Sequence, residues 1–209
     1  MEIFIDTLRY LSNYSPLILI VILFIRRRSH FLIIDQIIIA IVVLSFTTDI
    51  TLKYLIEGRN YIYILIYILI ETLLFLYFFY ELLKKRGILV LIMLLFFLIT
   101  FVLELFFKNP VYDLFTFSLT IRCLIFIILS LYYFYQIYTL EADIFKTEAP
   151  QFWYNVGILI YFSLAFFPFL LATEILIEVF DYTLWQVHNI GNIMKNLIFA
   201  TGIWMVQKR

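Results

Sequence analysis

The chain has 209 residues, of which 65% are hydrophobic, 21% aromatic and 14% charged, and its mean hydropathy is +1.04. A soluble domain of this length carries more charge and shows polar helix faces or alternating strands, so the composition favours a multi-pass membrane protein. The net charge of zero gives no support for binding nucleic acid, and the single Cys123 excludes an intramolecular disulfide.

Seven stretches of predominantly apolar residues follow one another along the chain, each long enough to cross roughly 30 Å of hydrocarbon as an α-helix. The predicted spans are 7–25, 32–54, 61–83, 88–107, 112–135, 152–176 and 184–206. None shows the alternating pattern of a membrane barrel, although polar residues and Pro16 interrupt the first span. The sequence therefore predicts an all-α seven-transmembrane-helix bundle that forms one domain over residues 1–209.

The orientation follows from the basic residues between the spans, because cytoplasmic loops of membrane proteins are enriched in Lys and Arg. Nine basic residues fall in one set of loops, including 26–28, 84–86 and the tail at 208–209, and three fall in the other set. The acidic start of the chain lacks the basic region of a signal peptide, so the first helix is expected to remain in place. We predict an outside N-terminus and a cytoplasmic C-terminus in the bacterial inner membrane.

Three ionisable side chains lie near the middle of predicted spans: Glu71 in the third, Arg122 in the fifth and Lys195 in the seventh. Counted from the predicted outer end, each lies about ten residues into its helix, at a depth of roughly 15 Å. A charge at that depth costs about 3 kcal/mol or more unless it faces a partner or a watery cavity. We therefore expect a buried charge network at which ligand binding or protonation alters helix packing.

Other polar residues also lie in the predicted outer half. A stripe on the last helix has the spacing i, i+4, i+7 and i+8 and comprises His188, Asn192, Lys195 and Asn196. Three carboxylates lie at shallower depth: Asp49, Glu104 and Glu174. Two interpretations stay open, namely interhelical hydrogen bonds that hold the helices together and a polar pocket that binds a ligand. The shallow carboxylates also have a third interpretation, which is simple contact with water.

The longest predicted cytoplasmic loop, at about 136–151, is a candidate partner interface. Its charged residues, together with an aromatic residue just beyond it, are Glu141, Asp143, Lys146, Glu148 and Trp153. We expect no globular effector domain between the short loops, so an intracellular output would need a separate cytoplasmic or membrane protein partner. A homo-oligomer is an open alternative.

Enzymatic and metal chemistries find little support in the residues. The chain has two His, at opposite sides of the membrane, and no Walker motif, serine elbow or glycine-rich phosphate loop. We therefore expect no metal, cofactor or catalytic residue. A retinal protein would match Lys195 and Glu71 in outline, but Gly191 occupies a position that is usually acidic in microbial rhodopsins. The apolar inner half argues against a conduction path in the monomer, which leaves only an oligomeric pore.

Two motifs carry a resemblance to known sequences. One is Pro150-x-Phe152-Trp153 with Gly157 and Tyr161, and the other is His188-x-Ile190-x-Asn192-Ile193-x-x-Asn196 with Gly202 and Trp204. Together they resemble a family of small multi-helix hypothetical membrane proteins from Bacteroidetes-type bacteria. Some members are thought to neighbour histidine kinases and response regulators. The resemblance implies a signalling or accessory role and directs attention to Glu71, Arg122, Trp153, His188, Asn192 and Asn196.

These observations favour a non-enzymatic sensor or signalling accessory protein with an outward-facing polar pocket. The alternatives are an accessory scaffold or an oligomeric pore of a bacterial defence system.

Overall fold

The computed structural model describes the helical backbone in seven ranges of the chain, namely 2–25, 31–54, 61–83, 86–108, 115–139, 149–171 and 181–206. The helices are α1 (Glu2–Tyr14), α2 (Pro16–Ile25), α3 (Ile33–Tyr54), α4 (Tyr61–Leu82), α5 (Gly87–Phe107), α6 (Thr116–Thr139), α7 (Pro150–Leu171) and α8 (Asp181–Met205). No strand occurs within these ranges. The predicted all-α class is confirmed for the described residues.

The first predicted span consists of two helices that are separated at Ser15. Pro16 disfavours a helical conformation at the residue before it and lacks an N–H, so α2 begins with this proline as its first residue. The Ser15 hydroxyl donates a hydrogen bond of 2.8 Å to the Ser12 carbonyl and so satisfies one carbonyl at the break. The interrupting polar residues noted in the sequence thus divide the helix without ending the span.

Within the described ranges, six helical segments are long and apolar enough to cross a membrane, namely Ile5–Ile25, Ile33–Leu52, Ile62–Leu82, Gly87–Phe107, Thr116–Thr139 and Pro150–Leu171. The predicted seventh span corresponds to α8, which is long enough at 25 residues. Its polar stripe lowers its hydropathy, so α8 is not one of these six segments. The helices otherwise follow the predicted spans, with ends shifted by up to five residues.

The helices form a ring that closes where the last helix packs against the first two. Helix α7 packs along α6 and α8, α3 packs against α4, and α8 returns to α1 and α2. Helix α5 packs on α4 and α6, with many of its large apolar side chains exposed. We call the end of the bundle where α8 begins the Asp181 end, and the end where α7 begins the Pro150 end.

A cluster of phenylalanines fills the middle of the bundle. This phenylalanine layer comprises Phe75 and Phe79 of α4, Phe126 of α6 and Phe162 of α7, all almost fully buried. The ring centroids of Phe126 and Phe162 are 4.5 Å apart, and those of Phe75 and Phe162 are 5.3 Å apart. Such aromatic pairs contribute about 0.5–1.5 kcal/mol beyond the burial of their area. The layer separates the two ends of the bundle with apolar rings.

Small residues let α7 and α8 approach closely. A Cβ atom added at Gly157 would lie 2.8 Å from the Phe199 ring, and one added at Gly202 would lie 2.4 Å from the Tyr154 ring. Small residues at a helix interface allow the backbones to come together, which is a common device in membrane bundles.

A polar contact joins three helices at the Pro150 end. Asp35 is 2% exposed and accepts hydrogen bonds of 2.8 Å from the Tyr154 hydroxyl and from the Leu32 backbone N–H. Gly202 of α8 packs on the same tyrosine. Asp35 therefore satisfies the start of its own helix and ties it to α7.

Gly202→Ala is expected to destabilise the protein by about 1–3 kcal/mol, because the added methyl group overpacks against a tyrosine held in place by Asp35. Gly87→Ala is the matched control, since its Cβ would meet the exposed and movable Tyr80 ring. Thermal unfolding in detergent checks the pair, and equal melting temperatures for both variants would contradict this description of the α7–α8 contact.

Candidate functional site: a buried ion pair beneath a polar cavity

A buried ion pair joins α4 and α6. The Arg122 guanidinium donates through Nη2 to Oε2 of Glu71, and the two side chains are 5% and 1% exposed. Burying an ion pair carries a large desolvation penalty that only close contact offsets. The pair therefore fixes α4 relative to α6 at the depth where the sequence placed both charges.

Aromatic rings surround this pair. Arg122 Cζ lies 5.2 Å from the centroid of Phe162, within the range of a cation–π contact. Tyr67, one turn before Glu71 on α4, interacts with the Glu71 carboxylate. The ion pair thus lies directly on the phenylalanine layer, with the layer on its Pro150 side.

Lys195, the third charge, lies over the Tyr161 ring. It is 1% exposed, and its Nζ lies 4.3 Å from the centroid of the Tyr161 ring. The ammonium also interacts electrostatically with Glu71 and Asp49. A desolvated cation–π contact is worth about 2 kcal/mol, which offsets part of the cost of burial. The three mid-span charges therefore belong to one neighbourhood, although only two of them form a direct pair.

A cavity of about 200 Å³ opens above the ion pair, toward the Asp181 end. Its polar lining residues are Ser45, Thr48, Asp49, Glu71, Arg122 and Asn192. Its aromatic lining residues are Tyr67, Tyr161, Phe169, Trp185 and His188. The late turns of α3 and α7 and the early turns of α4, α6 and α8 contribute these side chains, so five helices form the wall.

His188 packs among aromatic rings rather than beside a charged side chain. Its ring centroid is 5.5 Å from those of Tyr161 and Trp185 and 5.7 Å from that of Phe169. Its Nδ1 is buried and has no hydrogen-bond partner among the described residues. His188 therefore contributes a flat aromatic face and one unsatisfied nitrogen to the cavity wall.

The two asparagines of the polar stripe bind the break in the first span. Asn192 Nδ2 donates to Ser12 Oγ at 3.0 Å, and Asn196 Nδ2 donates to Ser15 Oγ at 2.7 Å. Both asparagines are buried. Their hydrogen bonds are interhelical, and they hold α8 against the point where α1 ends and α2 begins. Of the predicted stripe, Asn192 and Asn196 therefore make packing contacts, whereas His188 and Asn192 line the cavity.

Glu104 lies away from the cavity and caps a helix. Its two carboxylate oxygens accept hydrogen bonds from the backbone N–H groups of Phe117 at 3.1 Å and Ser118 at 2.7 Å. These N–H groups belong to the first turn of α6 and have no partner within that helix. A carboxylate at a helix N-terminus also interacts favourably with the helix dipole. Glu104 is thus a structural cap from the neighbouring helix.

The remaining predicted residues fall in three places. Asp49 is half-buried and lines the cavity. Trp153 is half-buried in the first turn of α7 and packs edge-on against Phe152. Others lie outside the described residues: Glu174, Glu141, Asp143, Lys146 and Glu148.

Sequence reasoning missed the aromatic wall and the serine partners. Tyr161 entered only through the motif that carries the resemblance, and Trp185 fitted the interfacial aromatic belt of a membrane helix end. Their positions against Lys195 and His188 depend on how each helix is rotated. Ser12 and Ser15 were visible as interruptions of the first span. Their pairing with two asparagines about 180 residues later needed the return of α8 to α2.

No protein-family model, no curated protein and no solved structure matches the chain. Within the described ranges, no three His, Cys, Asp or Glu side chains are grouped so that they could hold a metal ion.

Removing one partner of the ion pair is expected to cost about 3–5 kcal/mol, because it strands the other charge in the bundle. Glu71→Gln and Arg122→Met should each lower the free energy of unfolding, whereas the double variant should cost clearly less than the sum. Asp35→Asn at the Pro150 end is the control, since it should add to Glu71→Gln without coupling. Strict additivity of the ion-pair substitutions, measured by unfolding in detergent, would refute the pairing.

Glu104→Ala is expected to cost about 1–2 kcal/mol through loss of the helix cap, with Glu104→Gln costing less because one acceptor remains. Hydrogen exchange should rise at the first turn of α6 in the alanine variant and stay unchanged at the cavity residues of α8. A rise centred on the cavity instead would show that Glu104 belongs to the site.

Proposed function

We propose that the protein is a non-enzymatic, receptor-like sensor or signalling accessory protein of the bacterial inner membrane. The observation that carries this proposal is a polar, aromatic-walled cavity that lies directly on a buried ion pair. Ligand sites are concave and mainly apolar, with a few polar groups that fix the ligand's orientation, and this cavity has that composition. Its lining residues come from five helices, so occupancy would bear on the packing of most of the bundle.

The phenylalanine layer favours a receptor over a channel. A conduction path through one copy of the chain would need polar groups or water through both halves of the bundle. Below the ion pair, however, the rings of Phe75, Phe79, Phe126 and Phe162 are packed together and almost fully buried. The cavity is therefore closed toward the Pro150 end, as a binding pocket would be and a pore would not.

The cavity would face the outside of the cell. In the orientation that the basic residues favour, the Asp181 end lies outside and the Pro150 end faces the cytoplasm. A solute arriving from outside would then reach Asp49 and Trp185 before it meets the ion pair. Helix α8 would cross the membrane as the seventh span, with its polar stripe turned toward the ring of helices.

A signal would pass inward as a small shift of packed helices. The Glu71–Arg122 pair connects α4 to α6, so a ligand that competes for either charge changes the balance between two arrangements of these helices. Residues 140–148 and the basic tail would present that change to a cytoplasmic or membrane partner. A kinase-linked partner fits the resemblance noted in the sequence.

An accessory scaffold is the second candidate, and a specific observation favours it. The hydrogen bonds of Asn192, Asn196 and Glu104 are all used to hold helices together. In a scaffold the ion pair would have the same purpose, and substitutions in the cavity would leave partner binding intact.

Thiol labelling tests whether the cavity opens to the outside. In a Cys123→Ala background, Leu52→Cys should react with a membrane-impermeant maleimide added to intact spheroplasts, because Leu52 is half-buried and lines the cavity. Ser130→Cys is the control, since that position is fully buried on the other side of the phenylalanine layer, and it should stay unlabelled.

Labelling of Leu52→Cys only after the cells are lysed would show that the cavity faces the cytoplasm. Absence of labelling even in detergent would show a closed interior and would favour the scaffold.

A further inference from the structure

Two charged side chains that line the cavity each have one polar atom without a hydrogen-bond partner among the described residues. Glu71 Oε1, an acceptor, and Arg122 Nε, a donor, are both buried and have no partner among the described residues. Both side chains are more than nine-tenths buried, and both line the cavity. A buried polar group without a partner costs about 1–3 kcal/mol, so a ligand that satisfies both atoms would gain from each.

The charges around the cavity sum to zero when all are ionised. Asp49 and Glu71 line the cavity and carry two negative charges, and Arg122 lines it and carries one positive charge. Lys195 does not line the cavity, but its positive charge interacts electrostatically with both carboxylates and completes the balance. A ligand with one net charge would leave an uncompensated charge in the bundle, which is strongly unfavourable. A neutral ligand without ionic groups would leave Glu71 Oε1 and Arg122 Nε unsatisfied. A ligand that carries both charges avoids the two penalties together.

The geometry adds a constraint on spacing and size. Because Glu71 and Arg122 are in contact, a ligand that pairs with both must carry its ammonium and its carboxylate close together. A cavity of about 200 Å³ is smaller than the 300–1,000 Å³ of sites for drug-sized molecules. At about 30 Å³ for each water-sized group, it holds roughly seven non-hydrogen atoms. The aromatic walls would enclose a short apolar side chain.

We propose that the cavity binds a small zwitterion of the α-amino acid class. Its ammonium group pairs with Asp49 and with Oε1 of Glu71, and its carboxylate pairs with Nε of Arg122. Its side chain lies against Trp185 and Phe169. This inference rests on the proposed function, because it names the ligand class of the same cavity.

Three matched compounds test the inference on the full chain in lipid nanodiscs. Valine carries both charges, isobutylamine is the same molecule without the carboxylate, and 3-methylbutanoate is the same molecule without the ammonium. We expect valine to raise the melting temperature and to give saturable binding by calorimetry. Each analogue should bind at least about tenfold more weakly, because the site's buried polar groups are then left unpaired. If either analogue binds as tightly as valine, the proposal of a zwitterionic ligand is wrong.

The Asp49→Asn variant tests whether Asp49 pairs with the ammonium group of the ligand. Asp49→Asn removes one carboxylate from the cavity wall and should weaken valine binding by about tenfold or more. Asp6→Asn is the control, since Asp6 is exposed on α1 and does not line the cavity. Unchanged valine binding in Asp49→Asn would refute the assignment. The wild-type comparison stands even if that variant fails to fold.

The outcomes separate this inference from the proposed function. If valine and the other α-amino acids of similar size show no binding while Leu52→Cys is labelled from outside, the cavity is open and only the ligand class is wrong. If Leu52→Cys also resists labelling, the outward-facing receptor itself is refuted.

Discussion

The buried contact between Glu71 and Arg122 is the constraint on which the rest of the arrangement depends. Neither charge is tolerable in the middle of an apolar bundle by itself, so α4 and α6 must present them to each other at one depth and one rotation. The phenylalanine layer supports the pair from below, and the cavity lies above it. Apolar packing closes one half of the bundle, while polar groups collect in the other.

The polar residues of the bundle divide into two groups with different uses. Asn192, Asn196 and Glu104 are engaged with other helices, where their hydrogen bonds satisfy groups left open by a helix break or a helix start. Glu71, Arg122 and His188 retain buried atoms without a partner at the wall of a cavity. Folding explains the hydrogen bonds of the first group, in which Asn196 Oδ1 alone is a buried atom without a partner among the described residues. The second group keeps a capacity for hydrogen bonds that folding leaves unused, which is the physical basis for proposing a ligand.

Helix type and the depth of each charge could be predicted from the sequence, because apolar length and the rise of 1.5 Å per residue fix both. The common depth of Glu71, Arg122 and Lys195 predicts a buried charge network, in which only the first two form a direct pair. Helix rotation and neighbour order are not encoded in hydropathy. For that reason the sequence grouped Glu104 with the site, whereas it caps α6, and did not show that Asn192, which lines the cavity, also binds Ser12. It also gave no sign that Lys195 lies against the Tyr161 ring, or that Tyr154 reaches Asp35.

The central claim is that the cavity above the ion pair is a ligand site and not a packing defect. A crystal structure grown in a lipidic mesophase with valine present tests it most directly. The account predicts density for the amino acid between Asp49, Glu71 and Arg122, with the ion pair still in contact and the phenylalanine layer unchanged. A cavity collapsed by its own side chains, or filled by a lipid chain, would contradict the account.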